Sequence, residues 1–314
     1  MKIAVIGPGS MGLLYGAKLS KCADVTLFGN NRDHIREINE NGVTMKREDS
    51  ENHYDVKAVL NGQDTGIYDL IILFTKAYLT ETALTENQTI IGPDTYLLTL
   101  QNGAGHETVL KQFVDEKRVL LGTTAQGSSR ENAHVIVNSG LGDTSIGAFV
   151  PCDENSVFLQ SIKNLFENAG FPCVISDNIR QMIWNKLMIN ASSSVLSGVL
   201  QVKQGYIAEN PDAFEMCKSL ISDICTVANA EGMCFDTDEQ INRLYTHLKN
   251  APDGLTSIYA DLKNGRKTEV DYISGAVVNA AIKNNIKVPS QAMIVHMVHA
   301  MEGLNDNTRK EDLL

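Results

Sequence analysis

A lysine inside an apolar helical segment is the residue of this chain best suited to acid–base chemistry. Lys186 is flanked by the apolar residues 183–184 and 187–189. Such neighbours remove water from the ammonium group, which lowers its pKa and suits it to proton transfer. Asn190 lies one helical turn further on the same face, and Ser194 continues that face. The alternative is a lysine that extends its charge to water from an amphipathic helix.

Carboxylates and a helix start follow later in the chain. Glu269 and Asp271 are close enough in sequence to pair with Arg266, or either of them faces a site. Residues 252–257 have the pattern of a helix N-terminus, where a hydroxyl and backbone amides can hold a substrate carboxylate. Plain capping of the helix explains the same pattern, and the sequence alone favours it.

A glycine motif near the N-terminus predicts a nucleotide site. Residues 2–6 read as a buried strand, and Gly7-Pro8-Gly9-Ser10-Met11-Gly12 follows without a spacer, before a helical stretch over residues 13–21. In this order Gly7 permits the tight turn, Gly9 lets the backbone approach a pyrophosphate, and Gly12 allows the helix to pack on the strand. Phosphates are expected at the helix N-terminus, because amides and the positive end of the helix dipole favour anions.

The elements that must position these residues divide the chain in two. Up to about residue 177, short apolar runs alternate with helical stretches, which predicts a parallel sheet with crossover helices. Beyond it only long helical patterns remain. We therefore predict an α/β protein with a Rossmann-type dinucleotide-binding domain over residues 1–177 and an all-helical domain over residues 178–314. Strands are predicted at 2–6, 24–28, 69–74, 95–100 and 118–122, with weaker runs at 43–47, 55–60, 134–138 and 144–147. Helices of the second domain are predicted at 179–200, 211–231, 236–250 and 255–284, the last interrupted near residue 265 by Asn264-Gly265.

Two further polar residues follow predicted strands directly. Lys76 comes after the strand at 69–74, and Asn102 after the strand at 95–100. Ligands collect outside the carboxyl ends of strands in open α/β sheets, so both residues are suited to contact a cofactor ribose or a substrate. Taken alone, Lys76 is equally well a solvated loop lysine, and Asn102 with Gly103 is more often a turn.

Composition argues against several classes of function. The chain has 314 residues, a net charge of −11 and a pI of about 5.1, whereas nucleic-acid binding needs a basic face. The six cysteines have neither Cys-x-x-Cys nor metal-ligand spacing, which predicts reduced thiols and no metal. The start of the chain does not read as a signal peptide, and no apolar run approaches the roughly 18 residues of a membrane span. We expect a cytoplasmic protein with a small-molecule substrate, no nucleic-acid or membrane partner and, as the candidate assembly, a homodimer.

Taken together, these segments resemble the ketopantoate reductase (2-dehydropantoate 2-reductase) family over most of the chain. The resemblance is carried by Gly7 to Gly12, Thr75-Lys76-Ala77, Asn102 to Gly105, Gly122-Thr123-Thr124, Trp184 to Leu187 with Asn190, and Arg266 to Ile273. It implies that Lys186 is the catalytic acid and that Glu269 is its carboxylate partner, which also borders the cofactor. It further implies that Asn102, Lys76, Asn190 and Ser257 line the cofactor–substrate cleft.

Departures from the family pattern concern the cofactor first. NADPH-binding members carry an arginine at the position of Asn30, and a second polar contact to the 2′-phosphate corresponds to Leu79. Losing both anchors predicts NAD as the cofactor, with Asn30 bonded to a ribose hydroxyl, and makes NADP the less favoured one. Arg32 is close enough in sequence to restore a phosphate contact.

Other departures concern the substrate. Ser194, Gln204 and Gly254 stand where family members have asparagines that serve a hydroxylated substrate. Ser194 and Gln204 therefore join Asn102, Asn190 and Ser257 as predicted substrate-binding residues, in a pocket for a bulkier or less polar 2-oxo acid.

The resemblance thus predicts an NADH-dependent oxidoreductase that reduces the C2 carbonyl of a C3-branched or aromatic 2-oxo acid to a D-2-hydroxy acid. The D-mandelate dehydrogenases of the family are similar in kind. One alternative is an NADPH-dependent ketopantoate reductase of pantothenate synthesis. Another, from a different class, is a nucleotide-sensing regulatory protein, which would not need Lys186 and Glu269.

Overall fold

Residues 1–48 and 50–311 are described by the computed structural model, with side chains described up to residue 304, and they divide into two units. The first unit contains Met1–Gln101 and His106–Met182. The second contains Asn102–Gly105 and the chain from Ile183 onward. The sequence pattern changes at residue 177, whereas the contacts divide the chain between residues 182 and 183 and assign one short loop to the helical unit.

An eight-stranded sheet forms the centre of the first unit. The strands of the chain are β1 (Lys2–Ile6), β2 (Asp24–Gly29), β3 (Val43–Arg47), β4 (Ser50–Tyr54), β5 (Lys57–Leu60), β6 (Leu70–Leu73), β7 (Tyr96–Thr99), β8 (Val119–Thr124), β9 (Gly127–Arg130), β10 (Val135–Gly140), β11 (Thr144–Ala148) and β12 (Cys173–Ile175). The order in the large sheet is β12-β11-β8-β7-β6-β1-β2-β5. In that order the strands from β8 through to β5 are mutually parallel, which confirms the predicted Rossmann-type arrangement.

The far edge of this sheet departs from the predicted parallel arrangement. Strand β11 runs antiparallel to β8 and pairs in parallel with β12. The chain between β8 and β11 contains two short strands rather than a crossover helix, so β11 enters from the opposite end. Those two strands, β9 and β10, join β3 and β4 in a second sheet of order β4-β3-β10-β9.

The residues of β1 show why it lies at the centre of the large sheet. Ile3, Ala4, Val5 and Ile6 are fully buried, as in strands covered on both faces. The helices of this unit are α1 (Ser10–Leu19), α2 (Arg32–Asn41), α3 (Thr80–Glu86), α4 (Glu107–Leu110) and α5 (Asp153–Asn168). Helix α1 is fixed by Tyr15, whose hydroxyl donates to Thr124 Oγ1 at 2.9 Å. This hydrogen bond links the middle of α1 to the end of β8.

The described part of the second unit is helical, as predicted. Its helices are α6 (Ile179–Ile189), which begins in the first unit, α7 (Val195–Leu200), α8 (Gln204–Glu209), α9 (Pro211–Ala230), α10 (Thr237–Asn250), α11 (Ser257–Lys263), α12 (Ser274–Lys283) and α13 (Pro289–Glu311). A π-helical turn covers Asn190–Ser194, and a 3-10 turn covers Val270–Tyr272. Its core includes Leu187, Ile224, Leu244 and Val298. None of the described helices combines the length and apolar character needed to cross a membrane.

Candidate active site

The glycine turn between β1 and α1 forms a cradle made of backbone. Gly7 has a φ of +99°, and its amide donates to the Phe28 carbonyl at 2.9 Å. A Cβ at Gly7 would lie 2.5 Å from the Thr75 nitrogen, and one at Gly12 would lie 2.0 Å from the Gly7 oxygen. A Cβ at Gly9 would meet none of the described atoms within 4 Å. The fold therefore needs Gly7 and Gly12, while Gly9 leaves room for an anion at the N-terminus of α1.

The middle of the glycine motif is anchored to the end of β2. A Cβ at Gly29 would lie 2.7 Å from Cγ of Pro8, so these two residues are in close contact. Ser10 and Met11 are half-buried in the first turn of α1, and Met11 packs against the core. All six motif residues thus lie on one turn whose backbone is fixed from both neighbouring strands.

The residues beyond β2 lie at the surface. Asn30 follows the strand directly and is exposed, as is Arg32, the first residue of α2. Between them, the Asn31 side chain caps α2 by accepting the His34 amide at 3.1 Å. Leu79, the other departure from the family pattern, is 40% exposed at the end of a 3-10 turn.

The loop that contains Lys76 is held by Gln101, a residue to which the sequence pattern assigned no role. Lys76 is half-buried and immediately precedes the 3-10 turn Ala77–Leu79. On either side of it, Thr75 O and Thr80 Oγ1 accept hydrogen bonds from Nε2 of the buried Gln101, at 2.7 and 2.9 Å. Thr99 Oγ1 donates to Oε1 of the same glutamine at 2.9 Å. Gln101 therefore ties the Lys76 loop to the end of β7, and its position directly before Asn102 was the available signal.

Lys186 lies on α6, half-buried between Trp184 and Leu187, which are themselves buried. Desolvation lowers the pKa of Lys186 to about 8, and the negative charge of Glu269 opposes that shift. The direction agrees with the expectation from its apolar neighbours. An ammonium with this pKa is protonated at neutral pH and releases its proton easily, as a general acid must.

Glu269 is buried and precedes the 3-10 turn of residues 270–272. The suggested pairing with Arg266 is wrong. Arg266 Nε lies 2.9 Å from Asp261 Oδ1, and Asp271 Oδ1 lies 2.9 Å from His299 Nε2. The charges of residues 266–271 did not indicate these partners, because Asp261 lies on α11 and His299 lies on α13.

The helix that carries Lys186 changes its geometry immediately after it. Asn190 opens a π-helical turn that ends at Ser194, so Ser194 does not continue the face as α-helical spacing predicted. Asn190 is half-buried, and Ser194 is buried. The carbonyl of Ser194 accepts the Thr256 hydroxyl at 3.1 Å, which links the π turn to the start of α11.

Gln204 and Ser257 also lie near this turn. Gln204 is buried, and its side-chain Oε1 lies 3.4 Å from the Ser193 hydroxyl. Its backbone amide donates to the Gly254 carbonyl at 3.2 Å. Thr256 caps α11 by accepting the Tyr259 amide at 3.2 Å, so plain capping of this helix start holds for Thr256. Ser257 is the exposed first residue of α11.

Asn102 belongs to a loop that packs with the helical unit. The Ala104 amide donates to the Tyr272 carbonyl at 2.9 Å. Gly103 has a φ of +96°, and a Cβ there would lie 2.1 Å from the same oxygen. The loop that carries Asn102 is thus attached three residues beyond Glu269.

The predicted site residues therefore fall into two groups. Those expected to bind the dinucleotide through backbone and ribose contacts, Gly7 to Gly12, Asn30 and Lys76, belong to the first unit. Those expected to act on the substrate belong to the second: Asn102, Lys186, Asn190, Ser194, Gln204, Ser257 and Glu269. Asn102 and Glu269, which were also predicted to contact the cofactor, thus lie in the second unit. Within the described residues, no group of three or more His, Cys, Asp or Glu side chains is placed to hold a metal ion.

Comparison with known proteins gives consistent results along the chain. Residues 3–151 match the family model "Ketopantoate reductase PanE/ApbA", and residues 178–302 match "Ketopantoate reductase PanE/ApbA C terminal". The 2-dehydropantoate 2-reductase of Streptococcus pyogenes is 30% identical over 306 residues, covering 97% of this chain and 99% of the relative. That of Pyrococcus horikoshii is 30% identical over 311 residues, covering 98% and 100%.

A solved structure of D-mandelate dehydrogenase with NADH and anilino(oxo)acetate is also similar. It is 28% identical, with a TM-score of 0.91 over 98% of this chain and 100% of that one. The two family models together cover most of the chain. One matches the α/β part and the other matches the helical part, as the resemblance implied. This protein therefore belongs to the ketopantoate reductase PanE/ApbA family of oxidoreductases.

Proposed function

We propose that this protein reduces the C2 carbonyl of a C3-branched or aromatic 2-oxo acid to a D-2-hydroxy acid, with NADH as the reductant. The observation that carries the proposal is Lys186, a half-buried lysine whose pKa is lowered to about 8 and whose charge is balanced by the buried Glu269. A protein that only senses nucleotides has no need of such a pair.

The residues of the glycine turn fit a dinucleotide. Gly9 leaves open the space that a pyrophosphate requires, next to the backbone amides that begin α1. When bound, the reduced dinucleotide supplies the hydride that reaches C2 of the substrate. Gly7 and Pro8 hold the turn in place through Phe28 and Gly29, so contacts within the protein define the shape of the cradle.

The proton comes from Lys186. Negative charge develops on the C2 oxygen during reduction, and the Lys186 ammonium stabilises that charge and donates a proton to the oxygen. Glu269 keeps the ammonium charged by opposing its desolvation. We assign Asn102 and Asn190 to orienting the carbonyl, and Ser257 to binding the substrate carboxylate.

The preference for NADH rests on the residues beyond β2. Asn30 is exposed where the family resemblance implies an arginine, and the apolar Leu79 replaces a second polar contact. An amide offers neither the charge nor the two-pronged hydrogen bonding by which arginine holds a phosphate. The similar D-mandelate dehydrogenase, solved with NADH, supports the same choice.

The preference for a less polar substrate rests on three positions. Ser194 and Gln204 are buried, Oε1 of Gln204 accepts the Ser193 hydroxyl at 3.4 Å, and Gly254 has no side chain. The similar D-mandelate dehydrogenase was solved with an aromatic 2-oxo compound, anilino(oxo)acetate, which supports the same preference.

A second candidate is NADPH-dependent reduction of 2-dehydropantoate. It is favoured by the curated relatives at 30% identity, which are 2-dehydropantoate 2-reductases. The two candidates differ in substrate and in cofactor, so one experiment separates them.

Steady-state reduction of 2-ketoisovalerate, 2-ketoisocaproate, benzoylformate and ketopantoate, each with NADH and with NADPH, tests the proposal. We expect the highest kcat/KM for one of the first three acids with NADH. A clear preference for ketopantoate with NADPH would establish the second candidate instead. Failure to turn over any 2-oxo acid would contradict both.

A further inference from the structure

The segment that bears Glu269 is attached to the C-terminal helix α13 on both sides. The Thr268 amide and hydroxyl both donate to Oε1 of Glu302, at 2.8 and 2.7 Å. Thr268 is buried, so its amide depends on this carboxylate for a partner. On the other side, Asp271 pairs with His299 of the same helix at 2.9 Å.

The π turn that bears Asn190 and Ser194 is attached to the same helix. Nε2 of Gln291 donates to the Ala191 carbonyl at 2.8 Å and to the Leu220 carbonyl at 3.2 Å. Gln291 is fully buried. A π turn interrupts the regular hydrogen-bond ladder of a helix, so a buried donor directed at one of its carbonyls stabilises that geometry.

The beginning of α13 is itself fixed. Asp223 Oδ2, on α9, accepts the backbone amides of Ser290 and Gln291 at 2.9 and 3.0 Å. Helix α13 is therefore anchored at its N-terminus, where Gln291 also contacts the π turn, and it contacts the Glu269 segment further along through His299 and Glu302. None of its residues was a sequence candidate.

We propose that α13 positions the proton-donating pair: Glu302 holds Glu269 opposite Lys186, and Gln291 holds the π turn that presents Asn190 and Ser194 to the substrate. Glu302 and Gln291 are thus positioning residues that act through other side chains. This inference rests on the proposed function, in which Lys186 is the acid and the π turn binds the substrate.

The physical link from Glu302 to Lys186 passes through Glu269. The charge of Glu269 opposes the desolvation that lowers the pKa of Lys186. Nearby on the same segment, Arg266 is engaged with Asp261, and Asp271 with His299. If Glu302 no longer holds Thr268, Glu269 moves relative to Lys186, and the Lys186 pKa falls below its wild-type value.

The titration of Lys186, followed by NMR with 13C-labelled lysine in the full-length protein, tests this link without turnover. The Lys186→Ala variant identifies the signal. We expect Glu302→Leu to lower the Lys186 pKa and to reduce kcat/KM for the 2-oxo acid about tenfold, the scale of one charge-assisted hydrogen bond. We expect Glu302→Gln, which keeps an acceptor oxygen, to restore both.

Two controls keep this test decisive. Glu215→Leu removes an exposed helical glutamate of α9 that pairs with Lys218, and it should change neither quantity. Thr268→Val removes the hydroxyl end of the same contact and serves if Glu302→Leu does not fold. An unchanged Lys186 titration in a folded Glu302→Leu or Thr268→Val protein would overturn the proposal, as would an equal shift in Glu302→Gln.

Gln291→Met tests the second attachment. Methionine has a similar volume but cannot donate to the Ala191 carbonyl. We expect KM for the 2-oxo acid to rise about tenfold, while kcat and the Lys186 titration stay near wild type. An unchanged KM would contradict the role of Gln291. If the wild-type protein reduces no 2-oxo acid, the proposed function is wrong. The titration of Lys186 would still decide the role of Glu302.

Discussion

The glycine turn and the lysine site are built from different parts of the chain. At the glycine turn the backbone itself forms the cradle, and its key residue, Gly9, contributes empty space. At the lysine site the proposed chemistry is performed by side chains, and the pKa of Lys186 depends on the distant residue Glu269. We therefore expect the glycine turn to be sensitive to substitutions that add atoms. The lysine site should be sensitive to substitutions that remove them.

Replacing the acid should give the largest effect. We expect Lys186→Ala to reduce kcat for reduction by roughly 10²–10⁴, the usual contribution of a general acid, with the dissociation constant for NADH nearly unchanged. Lys249→Ala, at an exposed lysine of α10, is the matched control and should keep wild-type rates. Wild-type turnover in Lys186→Ala would contradict the proposal that the helical unit supplies the proton donor.

Filling the cradle should weaken nucleotide binding without unfolding the protein. In Gly9→Ala the new Cβ meets no described atom of the chain, and φ at this position is −77°, so the melting temperature should stay the same. The added methyl occupies the space that we propose for the pyrophosphate, and we expect the NADH dissociation constant to rise about tenfold or more, which corresponds to roughly 1.4 kcal/mol.

Gly12→Ala is the matched counterpart. Its Cβ would lie 2.0 Å from the Gly7 oxygen, so this variant should lose stability, by about 1–3 kcal/mol as in other overpacked sites. Thermal denaturation and NADH titration of the two variants measure the contrast. Equal destabilisation of both would show that Gly9 has a structural role like that of Gly12.

Cofactor choice should respond to one side chain at the end of β2. Asn30→Arg adds the charged, two-pronged donor that a 2′-phosphate requires, and charge-assisted hydrogen bonds of this type contribute about 1.5–3 kcal/mol. The ratio of kcat/KM with NADPH to that with NADH should therefore rise about tenfold or more. Asn30→Gln, which adds length without charge, should leave the ratio unchanged. A wild type that already prefers NADPH would point to Arg32 as the phosphate ligand.

The smallest expected effect is a shift in pH dependence. In the proposed mechanism Lys186 must be protonated to donate, and its pKa is lowered to about 8, so the rate of reduction should fall as pH rises above about 8. Oxidation of the hydroxy acid needs the neutral amine and should rise over the same range. Glu269→Gln removes the charge that opposes desolvation, so the falling limb should move to lower pH. Initial rates of reduction between pH 6 and 10 measure this shift. If the falling limb does not move in Glu269→Gln, Glu269 does not influence the pKa of Lys186.

Sequence reasoning succeeded where local pattern carries the information. The buried run of β1, the spacing of the glycines and the limits of α9 follow from hydrophobic periodicity and turn chemistry. It failed where structure depends on distant partners. The π turn at Asn190–Ser194 has the same apolar pattern as an α-helix, and only contacts such as Gln291 with Ala191 distinguish it.

Other omissions have the same physical origin. Strands β4 and β9 are polar, Ser50–Tyr54 and Gly127–Arg130, so no apolar alternation marks them. The partner of Arg266 is Asp261, five residues back, because the chain turns between them. Helix α13 lies outside the predicted helices altogether, although two of its residues hold segments of the candidate site.

The assignment of Asn102–Gly105 to the helical unit has a consequence for how this protein can be divided. The chain passes from one unit to the other after Gln101, returns at His106 and passes again after Met182. A fragment that ends at residue 182 would keep the loop but lose Tyr272, the acceptor for the Ala104 amide. The α/β unit and the helical unit therefore cannot be exchanged independently by cutting the chain at one point. A graft of a foreign helical half would have to bring its own counterpart of this loop, inserted between Gln101 and His106.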